Sequence, residues 1–176
     1  MASDALSFTR FSAELMEWSY GRMLEAVEGL SDAQLWVQPA YGANPIGWLV
    51  WHLSRFKDIQ TGRVAGEEQV WVADSWAERF GMRGSENGYR HAPEDVAAFR
   101  ASRGLLLGYA HAAHLAAVRR VSEATDDVLH RPSRAYRPPR PAYQLLLMNG
   151  IDYTEHTGQI AYLSGMLKAG EPNPAP

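Results

Sequence analysis

Residues 142–168, AYQLLLMNGIDYTEHTGQIAYLSGMLK, decide the fold. The stretch opens after Pro141 and is closed by Gly170, the punctuation expected at helix ends. Leu145, Met148, Asp152, His156, Ile160 (or Gln159), Leu163 and Leu167 recur at three- to four-residue steps, the period of a helix with one inward face. Three other stretches offer that face a partner. The first runs from about Asp4 to Glu28, with Phe8, Phe11, Leu15, Trp18 and Met23 in register, and stops at Gly29. Ser31-Asp32, with Leu35 nearby, reads as a short cap and turn before Pro39. The second begins at Asn44-Pro45, a capping acceptor followed by the residue best tolerated in a first turn. It carries Leu49, His52, Phe56 and Ile59 on one face and ends near Gly66. The third starts after Pro93, with Glu94 and Asp95 in the favourable first turn, and runs past Val121. No alternation of strands and helices interrupts this order. The fold class is therefore all-α, a four-helix bundle.

Between Gly66 and Ala92 the periodicity breaks. Gln69–Val72 looks strand-like, and Ser75–Phe80 reads as a short helix. Trp71, Trp76 and Phe80 argue for a packed, aromatic-rich connection that covers one end of the bundle, either walling a pocket or plugging the core. Residues 1–170 form one domain, and Glu171 to Pro176, with three Pro in six residues, forms a disordered tail.

Composition narrows the chemistry. The 176 residues carry a net charge of −3, too near zero for an electrostatically driven nucleic-acid binder. With 46% hydrophobic residues, including six Trp, eight Tyr and five Phe, the chain can bury a core. No apolar run approaches the ~18 residues of a membrane span. Met1-Ala2-Ser3-Asp4 lacks the basic start of a secretory signal. These bounds describe a soluble, cytoplasmic protein without a membrane or nucleic-acid partner. There is no Cys, so disulfides, thiolate ligands and a cysteine nucleophile are excluded together. The motifs of hydrolases, nucleotide-binding loops and dinucleotide folds are also missing.

Two residues of the fourth stretch do not belong on an apolar stripe. Asp152 and His156 lie four residues apart and share a helix face. A carboxylate in a core costs several kcal/mol unless it is paired, roughly 3–5 if a partner is lost. His52 occupies a similar place between Leu49 and Phe56. One divalent cation would satisfy all three and keep coordination positions open. The alternative is a hydrogen-bonded core His52 and a simple Asp152–His156 pair, and spacing alone leaves both readings standing. His111 and His114, three apart, read as a surface and a packed residue, and His91 and His130 fall in loops without a role.

Leu30-Ser31-Asp32-Ala33-Gln34-Leu35, then Asn44-Pro45-Ile46-Gly47-Trp48-Leu49-Val50-Trp51-His52-Leu53, then His156-Thr157-Gly158-Gln159, resemble the DinB/YfiT-like superfamily. These are four-helix metalloproteins that include mycothiol-dependent maleylpyruvate isomerase and bacillithiol S-transferases. The segment from Gln69-Val70-Trp71 to Trp76-Ala77-Glu78-Arg79-Phe80 resembles an actinobacterial branch of that family. The resemblance spans the first helix to about Gly165. It implies a divalent metal, zinc first with nickel or iron as alternatives, held by His52 and by two ligands on the last helix. His156 matches the last ligand. The position four before it is His in many members and Asp152 here, as a carboxylate is in the isomerase. The isomerase carries a further C-terminal domain, so metal–thiol chemistry is the expectation the two share.

What that implies is a metal-dependent enzyme that activates a small external thiol, mycothiol-like, for transfer to a small electrophile or for its isomerisation. A non-catalytic metal- or ligand-binding stress protein is the alternative, and an iron site for oxidation has the same two-His, one-carboxylate composition. A homodimer is an open expectation. Gln159, just beyond His156, is placed to hold a ligand by a hydrogen bond or simply to pack beside Gly158. Arg131, Arg134, Arg137 and Arg140 recur every third residue among Pro132, Pro138, Pro139 and Pro141. A polyproline II segment would align them on one edge, with Arg137 and Arg140 at the pocket rim to bind a cofactor carboxylate. The plainer reading is a solvated linker paired with Glu123, Asp126 or Asp127.

Overall fold

The computed structural model describes residues 6–169. The expected start near Asp4, the closing Gly170 and the 171–176 tail lie outside the described residues. Four long helices make the bundle: α1 (Phe8–Val27), α3 (Ile46–Ala65), α7 (Arg103–Ser122) and α9 (Ala142–Ala169). Between them lie the short helices α2 (Asp32–Leu35), α4 (Val70–Ala73), α5 (Trp76–Arg79), α6 (Pro93–Ala98) and α8 (Asp126–His130). Strands β1 (Pro132–Ser133) and β2 (Arg140–Pro141) pair antiparallel just before α9. No described helix is long and apolar enough to cross a membrane.

Local chemistry sets most of the helix ends. Ser7, Ser31, Ser102 and Thr125 each accept a hydrogen bond from a main-chain N–H of the first turn they precede. Ser31 and Gln34 complete a capping box. Gly66 closes α3 in the left-handed conformation, at φ 73°. Asn44, by contrast, does not cap α3: the helix begins at Ile46, with Pro45 before it and no side-chain cap. The third sequence stretch is two helices rather than one, because the chain turns extended at Phe99 and Ser102 caps α7 afresh. Gln69–Val72 is not a strand. Val70–Ala73 makes a helical turn whose first amides are held by the Asp58 carboxylate.

α3 is the central element, packed against both α7 and α9, and its burial extends around the helix rather than along one stripe. The main core joins Trp48, Leu49, Trp51, Trp71, Leu106 and Tyr109. A smaller one gathers Met16, Val64, Val121 and Leu145. On α9 the buried face is Leu145, Leu146, Asn149, Tyr153, Thr157 and Ile160. Asp152 and His156 therefore lie on the half-buried flank facing α3, not at the middle of the inward stripe. The arginine-rich segment doubles back through the β1–β2 pair. The extended edge of four guanidinium groups expected from a three-residue repeat is not formed.

Candidate metal centre

His52 in the second turn of α3 meets Asp152 and His156, one turn apart on α9. A ligating atom from each lies within 4.8 Å of the other two. The imidazole rings of His52 and His156 are 5.2 Å apart and nearly perpendicular. His156 Nε2 is 3.5 Å from Asp152 Oδ1, too long for a firm hydrogen bond. Asp152 Oδ2 is buried and has no partner.

Each imidazole is committed at Nδ1. His52 Nδ1 donates to the Asn87 main-chain carbonyl at 2.6 Å, and His156 Nδ1 donates to Gln159 Oε1 at 3.0 Å. A carbonyl oxygen only accepts, so in the neutral rings Nε2 is the nitrogen with the free lone pair. Two Nε2 atoms and an unpaired carboxylate oxygen are the donor set of a divalent cation, with the outer hydrogen bonds that orient such ligands. The residues fit the group. Burial pushes the His52 pKa down, against the opposing effects of the Asn87 carbonyl and the Asp152 charge. For His156 burial acts the same way, but the nearby Asp152 carboxylate and the Gln159 hydrogen bond outweigh it and the pKa rises. A cleft of about 340 Å³ is lined by Leu49, one turn before His52, and by Gln159 and Tyr162 on α9; no triad residue is part of its wall.

Trp71 is fully buried, and it packs with Trp51, Phe80 and Tyr109. The connection from 66 to 92 thus plugs the core with its aromatics and meets the triad through Asn87 and Gly88. His91 also has a structural part that its loop position did not suggest. Its Nδ1 accepts from Trp48 Nε1 at 3.2 Å, and its Nε2 lies 3.0 Å from Glu86. His111 is exposed. His114 is packed, stacked on Tyr20 with ring centres 4.0 Å apart. His130 Nδ1 turns to the Asp126 carbonyl. The Arg140 guanidinium lies over Tyr136 and reaches Met148 Sδ at 3.4 Å, one turn before Asp152. Arg137 is exposed.

Two buried polar groupings escaped the stripe reading. Asp58, fully buried, is ion-paired with Arg55 and Arg120 and accepts from the Tyr109 hydroxyl. Lys57 is also buried, with Nζ 3.4 Å from His114 Nδ1 and 3.8 Å from the centre of the Tyr153 ring. The available signal was Arg55, Lys57, Asp58 and Gln60 crowded within two turns of a helix that is otherwise apolar.

A family model described as the DinB superfamily matches residues 15–160. In three dimensions the chain is similar to a conserved protein of Enterococcus faecalis, with a TM-score of 0.83 and 23% identity over 94% of this chain and 99% of that one. At that identity the likeness shows the fold alone. No curated protein matches the sequence.

Proposed function

Because the chain belongs to the DinB superfamily, and because His52, Asp152 and His156 converge with ligating atoms unspent, we propose that it is a divalent-metal-dependent enzyme acting on a small external thiol. The thiol is of the mycothiol kind, and it is joined to a small electrophile or used to isomerise one. Zinc is the first candidate ion, with nickel and iron as alternatives.

The observation that carries the reading is the orphaned Asp152 Oδ2 beside two Nε2 lone pairs. His52, Asp152 and His156 would hold the ion, which when bound would supply Lewis acidity to lower the pKa of a thiol from its free value of ~8.5. The chain's own residues do the rest. With no Cys in the sequence, the nucleophile comes from solution. The cleft lined by Leu49, Gln159 and Tyr162 is the space in which this reading seats a small molecule, next to the Gln159 that holds His156. Gln159 keeps His156 turned with Nε2 toward Asp152. Arg140, against Met148 one turn before Asp152, offers an anionic group a cation.

The test is elemental analysis of the purified chain, then consumption of a low-molecular-weight thiol with chlorodinitrobenzene, with and without chelator. Stoichiometric metal and chelator-sensitive thiol loss are expected. Stoichiometric metal without thiol loss would replace the enzyme by a non-catalytic metal-binding protein of the same fold.

A further inference from the structure

The loop 86–91 touches the triad at one ligand, and every contact bears on how that ligand is aimed. The Asn87 carbonyl accepts from His52 Nδ1. Trp48 stacks on the His52 ring, with centres 4.7 Å apart and planes 14° from parallel. Trp48 is itself held by its Nε1 bond to His91, and His91 by Glu86. The loop is tied to α3 from below, where the buried Arg55 guanidinium donates from Nε to the Glu86 carbonyl at 2.9 Å and from Nη2 to the Gly84 carbonyl.

Gly88 makes this approach possible for two separate reasons. Its φ is +83°, a conformation that side chains disfavour. A Cβ there would also lie 2.6 Å from Trp48 Cζ2, 3.0 Å from Trp51 Cζ3 and 3.1 Å from His52 Nδ1. Any side chain at 88 would push the loop off the very ring its neighbour's carbonyl is holding. Gly81, in the same connection, has a similar φ of +66° but nothing within 4 Å of an added Cβ. The two glycines therefore separate backbone strain from the close approach to His52.

We propose that Asn87 and Gly88 are positioning residues of the centre: the Asn87 carbonyl fixes His52 as the Nδ1–H tautomer with Nε2 toward Asp152 and His156, and Gly88 is the residue that lets the carbonyl reach it. The tautomer belongs to the metal-free chain. Its consequence for ion binding rests on the metal reading above.

The experiment uses the full-length, metal-free, ¹⁵N-labelled chain at pH 8, with imidazole tautomers read from two-bond ¹H–¹⁵N correlations and His52 assigned by His52→Gln. In the wild type the expected result is Nδ1 protonated and Nε2 bare. In Gly88→Ala the His52 signals move toward a mixture of tautomers, while Gly81→Ala keeps the wild-type pattern. Cobalt(II) titration is the second readout, with affinity falling about 10–100-fold in Gly88→Ala and staying within a few-fold in Gly81→Ala. A wild-type His52 protonated at Nε2 overturns the proposal without any variant, so a failure of Gly88→Ala to fold does not shelter it. Equal tautomer patterns in the two alanine variants also overturn it. A wild type with the expected tautomer that takes up no cobalt leaves the positioning in place and defeats the metal reading instead.

Discussion

Asp58 and Asp152 are both carboxylates on bundle helices, and their surroundings are opposites. Asp58 is saturated: Oδ1 takes Arg120 and the Val70 amide, while Oδ2 takes Arg55, Tyr109 and the Trp71 amide. Asp152 has one oxygen 3.5 Å from His156 and the other without a partner. All of Asp58 and one oxygen of the half-buried Asp152 are withdrawn from water, but only Asp58 has recovered what that withdrawal costs. The saturated carboxylate fastens the connection after α3 to α3 and α7. The unsaturated one leaves an oxygen unpaired beside two imidazoles, an arrangement that could hold a metal ion. What sets Asp152 apart from the other unpartnered buried atoms of α9, those of Asn149, Tyr153 and Thr157, is a carboxylate oxygen that faces two imidazoles.

Removing charge at the two sites gives the largest expected contrast. Asp58→Asn leaves Arg55 and Arg120 buried beside a neutral amide, a loss of about 3–5 kcal/mol by analogy with broken buried pairs. Asp152→Asn leaves the fold within about 1 kcal/mol of wild type, because no firm interaction is lost. Its effect falls on bound metal, which drops well below one equivalent. Denaturant unfolding and elemental analysis of both variants read the contrast directly, and equal destabilisation of the two would erase it.

The imidazoles sharpen the same comparison. His156→Ala is expected to abolish stoichiometric metal, whereas His111→Ala, at an exposed ring whose nearest polar contact is Tyr20, retains it. Full metal in the His156 variant would remove that residue from the ligand set.

Lys57 occupies a middle state, buried with one weak partner. Burial lowers its pKa from 10.5 to about 7, partly opposed by Glu17. The groups that face it are Glu17 and Tyr20 on α1, His114 on α7 and Tyr153 on α9. Between pH 7 and 10.5 the unfolded chain binds a proton that the folded chain refuses, so stability rises with pH across that window. His114 repeats the pattern lower down, since burial and Lys57 bring its pKa to about 4 from 6.5 and stability is lost as pH falls between those values. Tyr20 and Tyr153 are pushed the other way by burial, which favours the folded state less once free tyrosine ionises. The clean window therefore ends near pH 9.5. Tm is expected to climb by roughly 5–10 °C from pH 7 to 9.5 in the wild type and to flatten in Lys57→Met. An equally steep climb in the variant would assign the effect to other groups.

These contrasts also mark what the sequence could reveal. Helix existence was legible, because Gly66, Pro93 and the Ser31 capping box act through local chemistry. The grouping of His52, Asp152 and His156 was only half legible: spacing put Asp152 and His156 on one face and left a simple pair as the alternative, and the family resemblance was what joined His52 to them. The phase of α9 was not. Leu147, Ile151, Tyr162 and Met166 are apolar yet exposed, so the helix has no single hydrophobic face from which to set its rotation. The partners of Asp58 come from α3, α4 and α7, and the carbonyl on His52 comes from 35 residues away. Such pairings are tertiary and carry no periodic signature; Asn87-Gly88 announces a turn, not what the turn touches.

The smallest expected effect lies at the rim. Arg137 and Arg140 were paired by the repeat, but the β1–β2 hairpin separates their circumstances. Arg140 is drawn over Tyr136 and against Met148, whose side chain shares a helix face with Asp152. Tyr136 is in turn fixed by Gln60, which donates to its hydroxyl from α3 at 2.7 Å. Both arginines are exposed, but Arg140 is seated on Tyr136 and Met148, one turn before Asp152. If the substrate thiol carries a carboxylate, Arg140→Ala should raise KM about two- to fivefold at low ionic strength, the size of a partly exposed charge pair. The increase should shrink by 0.5 M salt, as screening shortens the reach of the charge to a few ångströms. kcat and metal content should stay unchanged, because Arg140 contacts none of the three ligands. Arg137→Ala should change KM less. Equal, salt-independent KM values for both variants would make the whole hairpin a structural lead into α9.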